Sequence, residues 1–362
     1  MFDRGKVRVA VVFGGRNSEH DVSCASAASI LSHLDRTRYE VVPVKIETDG
    51  TWIVGIDAPE ALRTDGARTL ADFSETFGSA KVAALHGIPQ AFDRLADVDV
   101  VFPALHGRYG EDGSLQSLLE FFGLPFVGNG ILSSAIGMDK EYTKKLLAGA
   151  GLAVADGVVL RTGRTLLSED ERTRLGLPVF VKPARSGSSV GVSRVDSWES
   201  LPAAIASARA DDSKVLVEQT LHGREIDVGV LELPDGRIEA GPPLEIRLAP
   251  HQSVFDYQAK YTDGGAVFDI PARLDAETTA TLRATALRVF ELLGCAGLLR
   301  VDFFLSPDGT PVVNEVNTFP GFTVNSQFPQ MWAEAGLGYA DLLDILIETA
   351  LRREERRDAP AR

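Results

Sequence analysis

The sequence predicts an α/β protein of two or three domains. Three observations carry that prediction: a strand, helix, strand order over residues 7–46, a chain of 362 residues, and a late hairpin over residues 299–317. At roughly 100–200 residues per domain, that length exceeds one ordinary core. A strand, helix, strand order near the N-terminus begins a parallel layer, because parallel neighbours need a crossover helix.

Residues 7–13 are apolar, β-branched and ended by Gly14-Gly15, which marks a buried strand. Apolar periodicity over residues 19–34 marks a helix, and residues 39–46 a second strand. Residues 50–95 are less regular and read as an insertion or hairpin. Residues 97–104 form another buried strand and 113–122 another helix. A boundary falls near Gly128-Asn129-Gly130. Beyond it, residues 141–150 are helical. Strands are expected at 179–183, 190–195 and 214–218. The pattern after Leu221 is strand-rich up to a helix over 276–293. The hairpin follows: 299–305, the turn Pro307-Asp308-Gly309, then 311–317. Residues 339–352 form a last helix, and 353–362 read as a frayed charged tail.

Composition excludes several classes. The chain is 44% hydrophobic and 24% charged, unlike a disordered, collagenous or coiled-coil sequence. Its net charge of −14 disfavours binding nucleic acid through bulk charge, so any anion site must be locally positive. Two distant cysteines, Cys24 and Cys295, form no CxxC and fit a reducing cytoplasm. The first ten residues lack the apolar run of a signal peptide, and no apolar run reaches the roughly 18 residues of a membrane span.

Two motifs are set aside. Gly14-Gly15 after the first strand is not G-x-G-x-x-G. Gly187-Ser188-Ser189-Val190-Gly191 matches the serine-hydrolase pattern, but that elbow needs a helix after the nucleophile, and a strand is expected here.

The hairpin carries the strongest chemistry. Residues two apart on a strand share a face, so Arg300 and Asp302 point one way, and Val301, Phe303 and Leu305 the other. Glu315 and Asn317 share a face on the return strand. If the register joins those faces, two carboxylates and an amide oxygen suit Mg²⁺, a hard cation; otherwise they are a surface ion pair with a capping Asn. Thr318-Phe319-Pro320-Gly321 then makes a tight turn with N–H groups suited to an anion. Lys182 ends a strand before the Ser- and Gly-rich loop 185–191, whose amides are able to approach phosphate. Lys140 is a second cation at a helix start, whereas Lys144 and Lys145 read as solvated. The glycine-rich turn from His106 to Gly113 follows a buried strand, where open α/β sheets place ligands.

Together these segments resemble the D-alanine–D-alanine ligases of the ATP-grasp superfamily. The resemblance runs over residues 7–351. It rests on the segment from Phe13 to Ser23, His106 to Gly113, Gly137-Met138-Asp139-Lys140, Val181-Lys182-Pro183 with Gly187 to Gly191, Ala259-Lys260-Tyr261, Arg300-Val301-Asp302, and Asn314 to Thr318 with Pro320-Gly321. It implies an ATP-grasp fold behind an N-terminal Rossmann-like domain. The divisions would be 1–128 for that substrate domain, 129–219 for the central domain, 220–352 for the C-terminal domain with metal site and lid, and 353–362 for the tail.

The resemblance also implies roles. Lys140, Lys182, Ser188 and Ser189 would hold the phosphates of ATP. Glu218, Gln219 and Leu221 would meet adenine, although the family often has another residue at Gln219, and Glu225 would meet ribose. Asp302, Glu315 and Asn317 would bind two Mg²⁺ or Mn²⁺ ions. Glu19 would bind the first D-alanine's ammonium. Lys260 and Ser326 would bind the second D-alanine's carboxylate. Arg300 and the N–H of Gly321 would stabilise the oxyanion. Glu19, Ser188 and Tyr261 would form a hydrogen-bonded chain, with His106 nearby, and residues 251–265 would form a lid. A cytoplasmic homodimer serving peptidoglycan synthesis is implied, with neither nucleic acid nor membrane as partner. Within the family, Arg185-Ser186-Gly187 and Asn314-Glu315-Val316-Asn317 with Phe322 resemble the depsipeptide-forming branch, so a vancomycin-resistance type that uses D-lactate or D-serine is the alternative, while Tyr257-Gln258-Ala259-Lys260-Tyr261 resembles the lid of the dipeptide-forming enzymes, with Gln258 where an acidic residue is common.

Overall fold

The computed structural model describes residues 5–55, 93–248 and 266–358. The N-terminal part holds β1 (Val7–Gly14), α1 (His20–His33), β2 (Tyr39–Ile46), β3 (Trp52–Val54), β4 (Val100–Pro103) and α2 (Ser114–Phe121). The sheet order is β3-β2-β1-β4, with β1 parallel to both β2 and β4. Both faces are covered, so β1 is apolar without alternation. Val9, Val11 and Phe13 pack with α1, while Ala10 and Val12 pack with Leu115 and Leu119 of α2. Gly14 has φ 93°, and a Cβ there would lie 2.2 Å from the carbonyl oxygen of Ile46, so only glycine lets β1 end beside β2.

The central part holds α3 (Ile131–Met138), α4 (Lys140–Gly149), β5 (Gly157–Leu160), α5 (Glu169–Leu175), β6 (Val179–Pro183), β7 (Ser193–Val195), α6 (Leu201–Asp211) and β8 (Val215–Gln219). Its antiparallel sheet has the order β5-β8-β6-β7. The strand expected over 190–195 is shorter, because Ser188 and Ser189 take φ of 50° and 58° and Val190 N–H turns back to Gly187. That left-handed pair keeps residues 188–192 off the ladder.

The C-terminal part holds β9 (Arg224–Glu232), β10 (Ile238–Ala240), β11 (Leu244–Leu248), β12 (Ala266–Asp269), α7 (Ala276–Leu292), β13 (Leu298–Leu305), β14 (Pro311–Asn317), α8 (Gln327–Glu334) and α9 (Tyr339–Asp358). Its antiparallel sheet runs β12-β11-β9-β13-β14, with β10 paired to β9. Val228, Val230, Leu299, Val301 and Phe303 share one core with α7, which leaves Arg300 and Asp302 on the opposite face. The last helix does not stop at Arg352 but continues to Asp358. Arg353 Nη1 donates to Gly128 O at 2.9 Å and its guanidinium lies over the Phe126 ring, so the start of the expected tail is helical and anchored there rather than frayed, while residues 359–362 lie outside the described residues. Most of residues 50–95, beyond β3, lie outside the described residues.

Candidate active site

The β13–β14 register sets Arg300 opposite Asn317 and Asp302 opposite Glu315. The expected convergence of the two strand faces is therefore present. Arg300 grips Asp302 with both forks, Nε to Oδ1 at 2.7 Å and Nη2 to Oδ2 at 2.8 Å. Asn317 Nδ2 donates to Asp302 Oδ2 at 2.9 Å. Glu315 Oε2 lies 3.3 Å from Lys140 Nζ. Burial works against the Arg300 charge, yet Asp302, Asp227 and Glu315 hold the guanidinium well above its ordinary pKa. Among the described residues no three His, Cys, Asp or Glu side chains cluster as a metal site. The hairpin set has two carboxylates and an amide oxygen, a donor set fit for a cation that keeps water and substrate oxygens as its other ligands.

The central domain supplies the cations. Asp139 caps α4, accepting from Glu141 N–H at 3.2 Å, and Lys214 binds both Asp139 and Glu141. This network sets the start of the helix that carries Lys140, whose Nζ donates to Ser186 O at 2.8 Å in the loop. Lys182, near the end of β6, lies 2.6 Å from Glu218 Oε2 on the adjacent β8. Lys144 lies 2.8 Å from the other oxygen of Glu218. The expectation that Lys144 is solvated is wrong: one turn past Lys140 it faces β8 and is 8% exposed. Lys145, on the outer side, is exposed as expected. Burial opposes the charge of Glu218, but Lys144 and Lys182 hold its carboxyl below the usual range. Burial pushes Lys144 down to about 8, while Glu218 and Glu315 outweigh burial and raise Lys182.

The third group joins the first and last domains. Glu19 precedes α1, and its backbone N–H donates to Asn17 Oδ1 at 2.9 Å. Asn17 Nδ2 holds the carbonyls of His106 and Arg108. A Cβ at Gly107 would fall 2.1 Å from Glu19 Oε2, so glycine is what lets this turn lie against the carboxylate. Ser188 Oγ donates to Glu19 Oε1 at 2.5 Å, bringing the central loop onto the first domain. His106 Nδ1 lies 3.1 Å from Phe319 O and Nε2 lies 2.9 Å from Ser26 Oγ. Burial lowers its pKa and favours the neutral ring. Glu111 accepts from Gly107 N–H and Phe319 N–H, each at 2.8 Å. The turn holding Gly321 is thus fixed from the first domain.

Burial, and then the charge of Glu19, pushes Glu111 up to about 8. Between its ordinary 4.5 and that value the folded protein retains a proton that the unfolded chain releases, so stability falls as pH rises through the window. Glu111→Gln removes this contribution. Melting curves from about pH 5 to pH 8 should fall less steeply for the variant than for wild type; equal slopes would contradict the assignment.

Two adjoining cavities collect these residues. One, of about 420 Å³, is lined by Lys140, Lys182, Ser189, Glu218, Gln219, Leu221, Glu225, Asp302 and Glu315. The other, of about 520 Å³, is lined by Glu19, His106, Ser188, Asn317, Gly321 and Ser326. Lys140, Ser186, Gly187, Arg300 and Glu315 border both. Lys260, Tyr261 and the expected lid over 251–265 lie outside the described residues. Ser189 sits in a loop between two antiparallel strands, so the strand–turn–helix context of a hydrolase nucleophile is not met. The sequence pattern missed Glu111 and Lys144. It also missed Asp227 on β9, whose alternation with Ile226 and Val228 offered a signal.

A cleft between two antiparallel sheets, with lysines on one wall and paired carboxylates on the other, opens onto a second cleft at the first domain; this defines a ligase of the ATP-grasp class. The family model described as D-ala D-ala ligase N-terminus matches residues 8–129, and that described as D-ala D-ala ligase C-terminus matches residues 146–348. The chain belongs to the D-alanine–D-alanine ligase family. A protein named D-alanine–D-alanine ligase from Mycolicibacterium smegmatis is 52% identical over 365 residues, covering 96% of each chain. The crystal structure of a D-alanine–D-alanine ligase from Bacillus anthracis complexed with ATP matches with TM-score 0.75 and 30% identity, covering 97% of this chain and 100% of that one. The VanG D-Ala:D-Ser ligase of Enterococcus faecalis matches with TM-score 0.79 and 33% identity, over 95% of this chain and 99% of that one.

Proposed function

We propose that this chain joins two molecules of D-alanine into D-alanyl-D-alanine, splitting ATP to ADP and phosphate, as a step of peptidoglycan precursor synthesis. The observation that carries the proposal is the junction of the two cavities at Lys140, Gly187, Arg300 and Glu315. A nucleotide in one cavity points its terminal phosphate at a carboxylate in the other.

In this reading adenine lies by Glu218, Gln219 and Leu221, and ribose by Glu225. Lys140 and Lys182 bind the phosphates beneath the loop of Ser188 and Ser189. Asp302, Glu315 and Asn317 would hold two Mg²⁺ or Mn²⁺ ions, which neutralise phosphate charge when bound. Glu19 takes the ammonium of the first D-alanine, and its place at the start of α1 suits a carboxylate. The carboxylate of that D-alanine attacks the γ-phosphorus, ADP leaves, and D-alanyl phosphate forms. The amine of the second D-alanine, seated by Ser326 and Lys260, attacks the carbonyl carbon. Arg300 and Gly321 N–H receive the developing oxyanion. Phosphate departs, and the amine proton leaves through the chain of Ser188, Glu19 and Tyr261. His106 supports Gly321 by holding Phe319.

Of the segments that resemble the depsipeptide-forming branch, Ser186, Gly187, Glu315 and Asn317 border the substrate cavity, whereas Arg185 and Phe322 do not. Arg185 is paired to Asp212, and Phe322 is buried against Phe102, Phe328 and Tyr339. Free Cys24 and Cys295 accord with the cytoplasm, and among the described residues no helix is long and apolar enough to cross a membrane. Exposed Leu118, Phe121 and Phe122 on and after α2, beside Ile131 and Leu132 of α3, offer an apolar face for a homodimer.

Positional isotope exchange tests the intermediate. ATP labelled with ¹⁸O in the β,γ-bridge should scramble that oxygen when D-alanine is present; no scrambling and no trapped acyl phosphate would count against the first step. A second test separates the ligase from a hydrolase. Ser189→Ala should lose only about 5- to 160-fold in rate, as for a single hydrogen bond to a charged partner worth about 1–3 kcal/mol. Complete loss, with fluorophosphonate labelling of Ser189 in wild type, would make Ser189 a nucleophile.

A further inference from the structure

Asp227 is a buried carboxylate without a part in the scheme above. It sits on β9 directly opposite Asp302 of β13 and is 2% exposed. Its Oδ2 lies 3.3 Å from Arg300 Nε and accepts from Gln327 Nε2 at 2.9 Å. Arg300 is therefore flanked by two carboxylates, bidentate on Asp302 and close to Asp227 through Nε. In the scheme Asp302 also serves the metal. A carboxylate shared with a divalent cation holds a guanidinium less firmly, because the cation competes for its charge. Asp227 is not among the assigned metal ligands, and it lines the first cavity beside Arg300 and Asp302. Gln327 is the first residue of α8 and follows Ser326, the anchor assigned to the acceptor's carboxylate. One carboxylate thus touches both the oxyanion donor and the helix start that seats the acceptor.

We propose that Asp227 is a positioning residue of the reaction centre, fixing Arg300 and the Ser326–Gln327 helix start relative to each other so that the acyl carbonyl and the acceptor amine meet at a set separation. The inference rests on the ligase reading above. Its distinctive consequence is that two variants fail differently. Asp227→Asn keeps the shape and an oxygen for Gln327 but removes the charge facing Arg300. Gln327→Met removes the helix-side bond and leaves the Arg300 pair.

Steady-state kinetics with ATP and D-alanine resolve kcat and a KM for each D-alanine, calorimetry gives ADP affinity with Mg²⁺, and melting curves report folding. Asp227→Asn should lower kcat roughly 10- to 100-fold, the scale of a small misplacement of reacting groups, with ADP affinity within about threefold of wild type. Gln327→Met should raise the KM of the second D-alanine about 5- to 20-fold and leave kcat within about threefold. Unchanged kcat in Asp227→Asn, or a loss matched by equal losses in ADP affinity and melting temperature, would overturn the proposal. Should Asp227→Asn not fold, an unchanged second KM in Gln327→Met overturns it. A wild-type enzyme that makes no dipeptide would sink the ligase reading and this inference with it; an active wild type with two unaltered variants sinks the inference alone.

Discussion

Glu315→Gln should reduce ATP-dependent turnover by at least about 10³-fold, a barrier increase of about 4 kcal/mol, while the melting temperature changes little. The carboxylate stands opposite Asp302, 3.3 Å from Lys140, and at the border of both cavities. The amide has nearly the same shape but no charge. Two losses then coincide: a hard-cation ligand becomes weaker, and Lys140 loses a partner that orients it toward phosphate. The Glu315 side chain is 25% exposed, so the fold depends on its charge less than the chemistry does. Rate assays in rising Mg²⁺, alongside melting curves, check this. Near-normal turnover at saturating Mg²⁺ would remove Glu315 from the metal site.

Arg300 should show the second large effect, and its two substitutions should differ in kind. Arg300→Lys keeps a positive charge but loses the planar fork that grips Asp302 with two bonds. An oxyanion donor out of place should cost about 10²–10³ in kcat, with most of the stability retained. Arg300→Met leaves Asp302 and Asp227 facing each other without a cation. Breaking a buried pair in this way should cost about 3–5 kcal/mol of stability, visible as a shifted urea midpoint. A lysine variant within tenfold of wild-type kcat would exclude Arg300 from the transition state.

What the sequence revealed of this site follows from geometry. The hairpin was legible because strand alternation has a period of two, so Arg300 with Asp302, and Glu315 with Asn317, were forced onto shared faces before any register was known. The parallel start was legible because β1 is apolar on both faces. Lys144 was not legible: whether a helical lysine is solvated depends on what its face meets, and here it meets Glu218 from a strand far along the chain. Glu111 was hidden for a related reason. Its partners, Gly107 N–H and Phe319 N–H, are backbone groups that leave no trace in side-chain pattern. The loop after Lys182 shows its glycines and serines in the sequence but not its left-handed pair, Ser188 and Ser189, so the pattern starts the strand at 190 where the chain starts it at Ser193. The end of α9 was misjudged because Arg353 looks like tail composition, whereas its bond to Gly128 is a tertiary contact.

Phosphate release from ATP is measured with purified protein and D-alanine as the sole amino acid, then with D-serine or D-lactate added, and the products are identified by mass. Phosphate release should require D-alanine, with one D-alanyl-D-alanine formed per phosphate, and the dipeptide should remain the main product when the other acceptors compete. Phosphate release without dipeptide, or a mixed product that displaces D-alanyl-D-alanine at equal acceptor concentration, would rule out a D-alanine–D-alanine ligase.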